Sequence, residues 1–404
     1  MKRREFLIAS GLATLPLIKP QLVFGNNKGT NNKDVLVCVY QRGAADGLNM
    51  VVPYADEEYY NNRPTIAVPK PGQVNGALDL DGFFGLNPNM SALMPIFNKG
   101  DLAMVHAVGS PDSSRSHFTA QDYMELGTPG INTTVDGWLN RYLGTLSGQG
   151  PTFQAVGFGQ VQLALKGAEP AIGMNSIESF SLVTKEGQED AVQQAIQGLF
   201  NQNLDIDDVS SGVLAAVEEL GVSDPASIPV ENGAEYPDTS FGSDMQQLAQ
   251  LIKAGIGLEV ACIDIHGWDH HDQEVEAMTT KSADFANSLA AFYTDLGDAM
   301  ANVSVVTMTE FGRRVQENAS QGTDHGHGGS MFLMGGGVNG GQVITDWPGL
   351  ASNQLSDGDL AITTDFRTVL SDVLINRLGA RDLSNVFPGF NGPFDASIFS
   401  EINN

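Results

Sequence analysis

Val35-Leu36-Val37-Cys38-Val39-Tyr40 is an unbroken apolar run, and Gln41-Arg42-Gly43-Ala44-Ala45-Asp46-Gly47 follows it as a small-residue loop with one carboxylate. A half-exposed strand would alternate polar and apolar residues, so an apolar run of this length predicts a strand buried on both faces, at the centre of a parallel sheet. Outward from it, Ser91 to Lys99 predicts a helix ending at Gly100, and Leu102 to Ala107 the next strand. Ser116 to Leu126, closed by Gly127, and Trp138 to Leu146 predict two further helices. Further on, helices are expected at 243–254, 281–301 and 365–378, and strands at 258–265, 303–308 and 331–334. The alternation predicts an α/β fold, a mostly parallel sheet sandwiched between helices.

Between 153 and 243 the pattern weakens to short apolar runs, a Gln-rich helical piece near 189–201 and a Ser/Pro/Gly/Glu-rich stretch at 221–243. This reads as a cap-like insertion in a single domain spanning 26–404. No period of 20–50 residues repeats, which argues against solenoids and propellers. The run Gly335 to Gly341 lacks the lysine and following helix of a phosphate loop, and a wide turn between strands accounts for it.

The chain's 21 Lys+Arg against 48 Asp+Glu give a net charge of −27, and no basic cluster follows the N-terminus. That balance excludes non-specific nucleic-acid binding, which needs clustered cations, and favours attraction of metal cations; solubility also accounts for the bulk charge. Lys2-Arg3-Arg4 precedes an apolar stretch reaching Leu17, too short to span a bilayer, with Val23-Phe24-Gly25 as a cleavage candidate. Residues 1–25 therefore read as a twin-arginine signal peptide, with an uncleaved membrane anchor as the rival. Its removal takes away four cations and one anion and leaves −30. The translocase would be a partner during export, the destination periplasmic or extracellular, and the mature chain without a transmembrane span. Cys38 and Cys262 both sit in apolar runs, where small buried thiols are expected.

All seven histidines, His106, His117, His266, His270, His271, His325 and His327, fall at or after predicted strand ends or at helix starts, the edge where open sheets bind ligands. The densest cluster, Asp264 to Asp272, holds three imidazoles and three carboxylates, and Asp269-x-His271 lets two donors converge from an extended loop. A polar solvated loop is the plainer alternative. Asp324-His325-Gly326-His327 is a second cluster, in which glycine permits close approach. Glu310 stands ready to complete a metal shell, and Arg313 or Arg314 to hold an oxyanion, although an ion pair at a strand-to-loop turn explains these equally. Ser116, beside Arg115 and His117, reads either as an activated nucleophile or as an ordinary helix cap. Asp46 is placed to ligate a metal after the first strand.

The segments Arg42-Gly43-Ala44-Ala45-Asp46-Gly47, Arg115-Ser116-His117-Phe118, Gly267-Trp268-Asp269-His270-His271, Thr309-Glu310-Phe311-Gly312-Arg313 and Gly322-Thr323-Asp324-His325-Gly326-His327-Gly328 recur in order over nearly the whole chain. In them the sequence resembles a bacterial family of twin-arginine-exported proteins, domain of unknown function 1501, within the alkaline-phosphatase-like, sulfatase-like superfamily. That resemblance implies two divalent ions at strand ends. Asp46, the pair Asp269 and His271, and His327 take the places of ligands, and Ser116 that of the nucleophile. Two departures stand out. Glu310-Phe311 replaces an Asp-His pair, so a nitrogen ligand is missing unless His325 substitutes, and neither cysteine lies in a formylglycine motif.

The expectation is an exported metal-dependent hydrolase of phosphate or sulfate esters, acting on a small-molecule or polymer-borne anionic ester. The divalent metal is expected to be zinc, with calcium, magnesium or manganese as alternatives. Its ligands would come from Asp46, Asp269, His271, Glu310, Asp324, His325 and His327. Ser116 would attack, Arg115 or Arg313 would orient the anion, and His117 would serve the leaving group. The alternative is a non-catalytic member of the fold, acting as an exported binding or assembly factor.

Overall fold

In the computed structural model, which describes residues 34–148, 150–180, 207–394 and 396–399, the run at 35–40 lies in the interior of a nine-stranded sheet. The strands are β1 (Val35–Arg42), β2 (Val51–Val52), β3 (Leu78–Asp79), β4 (Gly85–Leu86), β5 (Leu102–Gly109), β6 (Ala155–Phe158) and β7 (Ile172–Met174). They continue with β8 (Val260–His266), β9 (Val303–Met308), β10 (Arg313–Glu317), β11 (Thr323–His325), β12 (Gly329–Gly335), β13 (Gln342–Ile344) and β14 (Thr364–Asp365). The helices are α1 (Gly47–Met50), α2 (Glu57–Asn62), α3 (Met94–Lys99), α4 (His117–Leu126), α5 (Trp138–Leu143), α6 (Asp207–Ser223), α7 (Ser240–Ala254), α8 (Glu274–Leu296) and α9 (Phe366–Asn376). The signal-peptide segment 1–25 and the Gln-rich piece at 189–201 lie outside the described residues.

The main sheet runs β13-β5-β12-β9-β1-β8-β6-β7, with β14 also paired to β5. Every pairing in it is parallel except the two made by β12, with β5 and with β9. Because successive side chains of a strand point to opposite faces and both faces of β1 are covered, its residues enter two separate cores. Val35, Val37 and Val39 pack with Met245 and Leu248 of α7 and Phe285 and Leu289 of α8. Leu36, Cys38 and Tyr40 pack with Trp138 and Tyr142 of α5 and Val369 and Val373 of α9. Burying each large aliphatic of this strand stabilises the fold by about 1.5–3 kcal/mol, which is why the unbroken apolar run persists.

Helix ends follow the predicted chemistry. Gly100 and Gly127 close α3 and α4 in the left-handed conformation, and Asp365 caps α9 by accepting from Arg367 N. Both cysteines are free and buried, as expected. Helix α8 starts earlier than expected, at Glu274, behind a left-handed Gln273 with no side-chain cap to mark it. The stretch expected to be an insertion begins inside the sheet, since β6 pairs with β8 and β7 with β6.

Strand β12 fixes where the loops meet. It runs against β5 and β9, so it begins at the edge where β1, β5, β8 and β9 end. The β10–β11 hairpin just before it is therefore returned to that same edge, where Arg313 pairs with His325.

One histidine departs from the expected placement at an element boundary. His106 lies within β5, fully buried, with Nε2 3.0 Å from Val51 O and Nδ1 accepting from Ala107 N at 2.8 Å. Burial pushes its pKa down to about 4 from an ordinary 6.5. The unfolded chain then takes up this proton first, so stability should fall as pH drops from about 6.5 to about 4, by about 3 kcal/mol. Urea unfolding across that window should show the slope in the wild type and a flatter one in His106→Gln.

Candidate metal centre

Five loops converge on the carboxyl edge: residues after β1, before α4, after β8, after β9, and in the β10–β11 hairpin. Gly43 allows the first and third to touch. Its φ is +117°, and a Cβ there would stand 2.6 Å from Asp269 N.

At this edge the side chains of His117, Asp269, His271 and His325 come together. Asp269 Oδ1 lies 3.0 Å from His271 Nε2 and 3.2 Å from His325 Nε2, and the two Nε2 atoms are 2.9 Å apart. Asp269 Oδ2 is 3.4 Å from His117 Nε2. Ligand atoms of His117, Asp269 and His325 all lie within 4.8 Å of one another. The edge of a tetrahedron with metal–ligand bonds of about 2.0–2.1 Å is roughly 3.3 Å, so the His117, Asp269 and His325 donors suit one ion, with His271 beside Asp269 and His325.

The proton positions sharpen the fit. His117 Nδ1 is 2.7 Å from Glu310 Oε1, His325 Nδ1 is 2.8 Å from Arg115 O, and His271 Nδ1 is 3.2 Å from Asp324 Oδ1. Each of those partners can only accept once the carboxylates are ionised, so each ring's N–H belongs on Nδ1 and its lone pair on Nε2. With the rings neutral, the Nε2 lone pairs and the Asp269 carboxylate face one another as a donor set that a cation would satisfy. His117 Nε2 is buried with no hydrogen-bond partner in the protein. The donor set of imidazoles and one carboxylate suits zinc and other divalent first-row ions.

The surrounding residues fix these rings. Glu310, expected as a ligand, is buried behind His117. Its Oε1 accepts from Gly43 N at 2.9 Å and Gln121 Nε2 at 2.9 Å as well as from His117. Burial opposes its charge, but the His117 and Gln121 hydrogen bonds hold its carboxyl below the usual range. The same bond raises the His117 pKa. Asp324 is held low first by Asn318, which also donates to His271 O at 2.9 Å, and it holds His271 rather than joining the centre. Burial lowers the His325 pKa, favouring the neutral ring. Phe311, where the resemblance has a histidine, contributes no donor; its ring packs 5.1 Å from that of His117 and 4.9 Å from that of His325.

Beyond Glu310 and Asp324, four expected residues make contacts other than those expected of them. Asp46 caps α1 and is locked in a buried ion pair with Arg63, which holds its carboxyl low despite burial. Beside it, burial and the Asp46 charge push the Glu274 carboxyl well up. His327 Nε2 donates to the carbonyls of Ser110 at 2.9 Å and Asp112 at 3.1 Å, so its imidazole braces a loop. Arg115 is paired with Asp359 and, at 3.3 Å, with Asp357. Arg313 is fully buried and donates to the carbonyls of Gly43, Ala44, Trp268 and Thr323 and, at 2.5 Å, to Asp269. Arg313 therefore has no donor turned to solvent for an anion, whereas Arg115 is ion-paired through Nη2 and keeps part of its guanidinium exposed. Ser116 is exposed, and its carbonyl, not its hydroxyl, caps α4 by accepting from Ala120 N.

Sequence reading missed Gln121, Asn318, Arg63 and Glu274. Gln121 alone left a signal, lying one helical turn after His117 and so on its face.

The model of a family described as "Protein of unknown function (DUF1501)" matches residues 33–377. No curated protein matches the chain. Among solved structures, the lipoteichoic acid synthase LtaP from Listeria monocytogenes is similar at 10% identity, covering 83% of this chain and 76% of that one, with a TM-score of 0.37. The zinc complex of the C-terminal periplasmic domain of EcEptC from Escherichia coli follows at 12% identity, 79% and 77% coverage and a TM-score of 0.33. A protein in the alkaline phosphatase superfamily from Vibrio parahaemolyticus has 10% identity, 83% and 69% coverage and a TM-score of 0.32. With the family model spanning most of its length, the chain belongs to the DUF1501 family.

Proposed function

We propose that this protein is a metal-dependent hydrolase of phosphate or sulfate esters. The observation that carries the reading is the convergence of three imidazole lone pairs and the Asp269 carboxylate at an exposed sheet edge. His117, Asp269, His271 and His325 would hold the ion, with zinc the best match to the donors. When bound, such an ion neutralises an ester oxyanion and lowers the pKa of an attacking oxygen. Glu310 and Asp324 fix the ring tautomers, and Arg313 fixes the Asp269 carboxylate. Ser116, exposed one residue before His117, is the candidate attacking hydroxyl, with a water as its alternative. His117 moves from the leaving-group role into the donor set. The twin-arginine segment supports export to the periplasm or beyond. Among the described residues, no helix is long and apolar enough to cross a membrane.

A second reading, a non-catalytic exported binding or assembly factor, is favoured by one observation. Arg115 and Arg313, the groups expected to orient an anion, are both engaged within the protein.

Protein from its native compartment should carry a divalent metal by elemental analysis, and Asp269→Ala should lose it. Metal-replete wild type, assayed on phosphate and sulfate monoesters and diesters, should turn over at least one class, and Asp269→Ala should abolish that turnover. Bound metal without turnover on any class selects the second reading, and absence of metal defeats the proposed centre. Glu310→Gln should keep the fold by circular dichroism but weaken zinc binding by about 10–100-fold in a chelator competition, because His117 loses its fixed tautomer.

A further inference from the structure

Away from the metal centre, on the α5 and α9 side of the sheet, a second cavity lies against β1 and β8. Its floor is sulfur: Cys38, Cys262 and Met308 line it, with Cys38 Sγ 3.5 Å from Met308 Sδ and Cys38 directly opposite Cys262 in the strand register. Trp138, Gln162 and Ala164 form its walls, and Arg42, paired with Glu125 at 2.6 Å and Asp264 at 3.0 Å, sits at its rim. The free volume is about 10 Å³, about that of one water-sized sphere.

Three polar atoms of the lining residues, Tyr40 Oη, Trp138 Nε1 and Gln162 Oε1, are buried without a hydrogen-bond partner in the protein, and a fourth, Asp264 Oδ1, is buried with the Arg42 ion pair alone and keeps a lone pair to accept another bond. The first three belong to side chains more than nine-tenths buried. Gln162 Nε2 donates to Phe158 O at 3.0 Å, which sets the amide so that Oε1 is the free atom. Gly157 makes room for that oxygen, since a Cβ there would come within 2.4 Å of it. Leaving such atoms unpaired is costly, about 1–3 kcal/mol each, so the set requires an occupant. Tyr40 and Trp138 supply two donors, and Gln162 and Asp264 two acceptors. That complement matches one molecule able to accept twice and donate twice, in a space of one water.

We propose that this cavity is a binding site for a single structural water, accepting from Tyr40 and Trp138 and donating to Gln162 and Asp264. It joins β1 and β8 to the segment carrying Trp138 and Gln162, and it stands independently of the proposed hydrolase activity.

A crystal structure of the full chain at a resolution that orders buried waters decides it. The expected result is one peak within hydrogen-bond distance of at least three of the four atoms, absent in Tyr40→Phe. Tyr40→Phe and Trp138→Phe should each lower Tm by a few degrees, and the double variant by less than their sum, since either change spoils the same water. A cavity without density while other buried waters are ordered, or a peak with the anomalous signal of a metal, would overturn the proposal. Additive Tm losses would overturn it as well.

Discussion

The Arg313 guanidinium is the interaction on which the edge depends. It sits fully buried, and its hydrogen bonds tie the loop after β1, the loop after β8 and strand β11 to one planar group. Its remaining contact is the Asp269 carboxylate, so the group that knits the loops also aims the carboxylate among the imidazoles. Arginine suits this work because its planar fork presents five donors in fixed directions and stays charged, whereas lysine offers a single point charge. A residue that looked on chemical grounds like an anion receptor is thus part of the scaffold, and whatever charge the site recognises must be met by other means.

Around that clamp, the centre is built in two layers. The inner layer turns its lone pairs inward, and the outer layer of Glu310, Asp324 and the Arg115 carbonyl removes the rings' freedom to change tautomer. With its rings neutral, the inner layer is a donor set that a cation would satisfy. Asp46 and Arg63 form a separate, self-neutralising pair that supports the hairpin, since Arg63 also donates to the carbonyls of Val315 and Arg314.

The central strands, the glycine helix ends and the cluster around Asp269 were legible in the sequence because each rests on local chemistry. A doubly buried strand must be apolar throughout, a left-handed cap selects glycine, and donors two residues apart on one loop stay neighbours after folding. Strands β6 and β7 escaped notice because Ala155-Val156-Gly157-Phe158 and Ile172-Gly173-Met174 are short and each is interrupted by glycine. The site's acids and arginines were recognised as important, yet their partners were not. Whether Glu310 meets a metal or His117, or Arg115 an anion or Asp359, depends on residues far off in the chain. His327 shows the same limit, its sequence context fitting a ligand while its imidazole braces two carbonyls.

The position of β1 also bears on how the molecule is made. Strand β1 finds both neighbours, β8 and β9, only after more than 200 further residues have been made, and Cys38 meets Met308 across 270 positions. Until then both its edges stay unpaired, which exposes the nascent chain to aggregation. Shortening the chain before β9 would remove one whole flank of that strand, and such fragments should accumulate as insoluble material rather than as smaller folded domains.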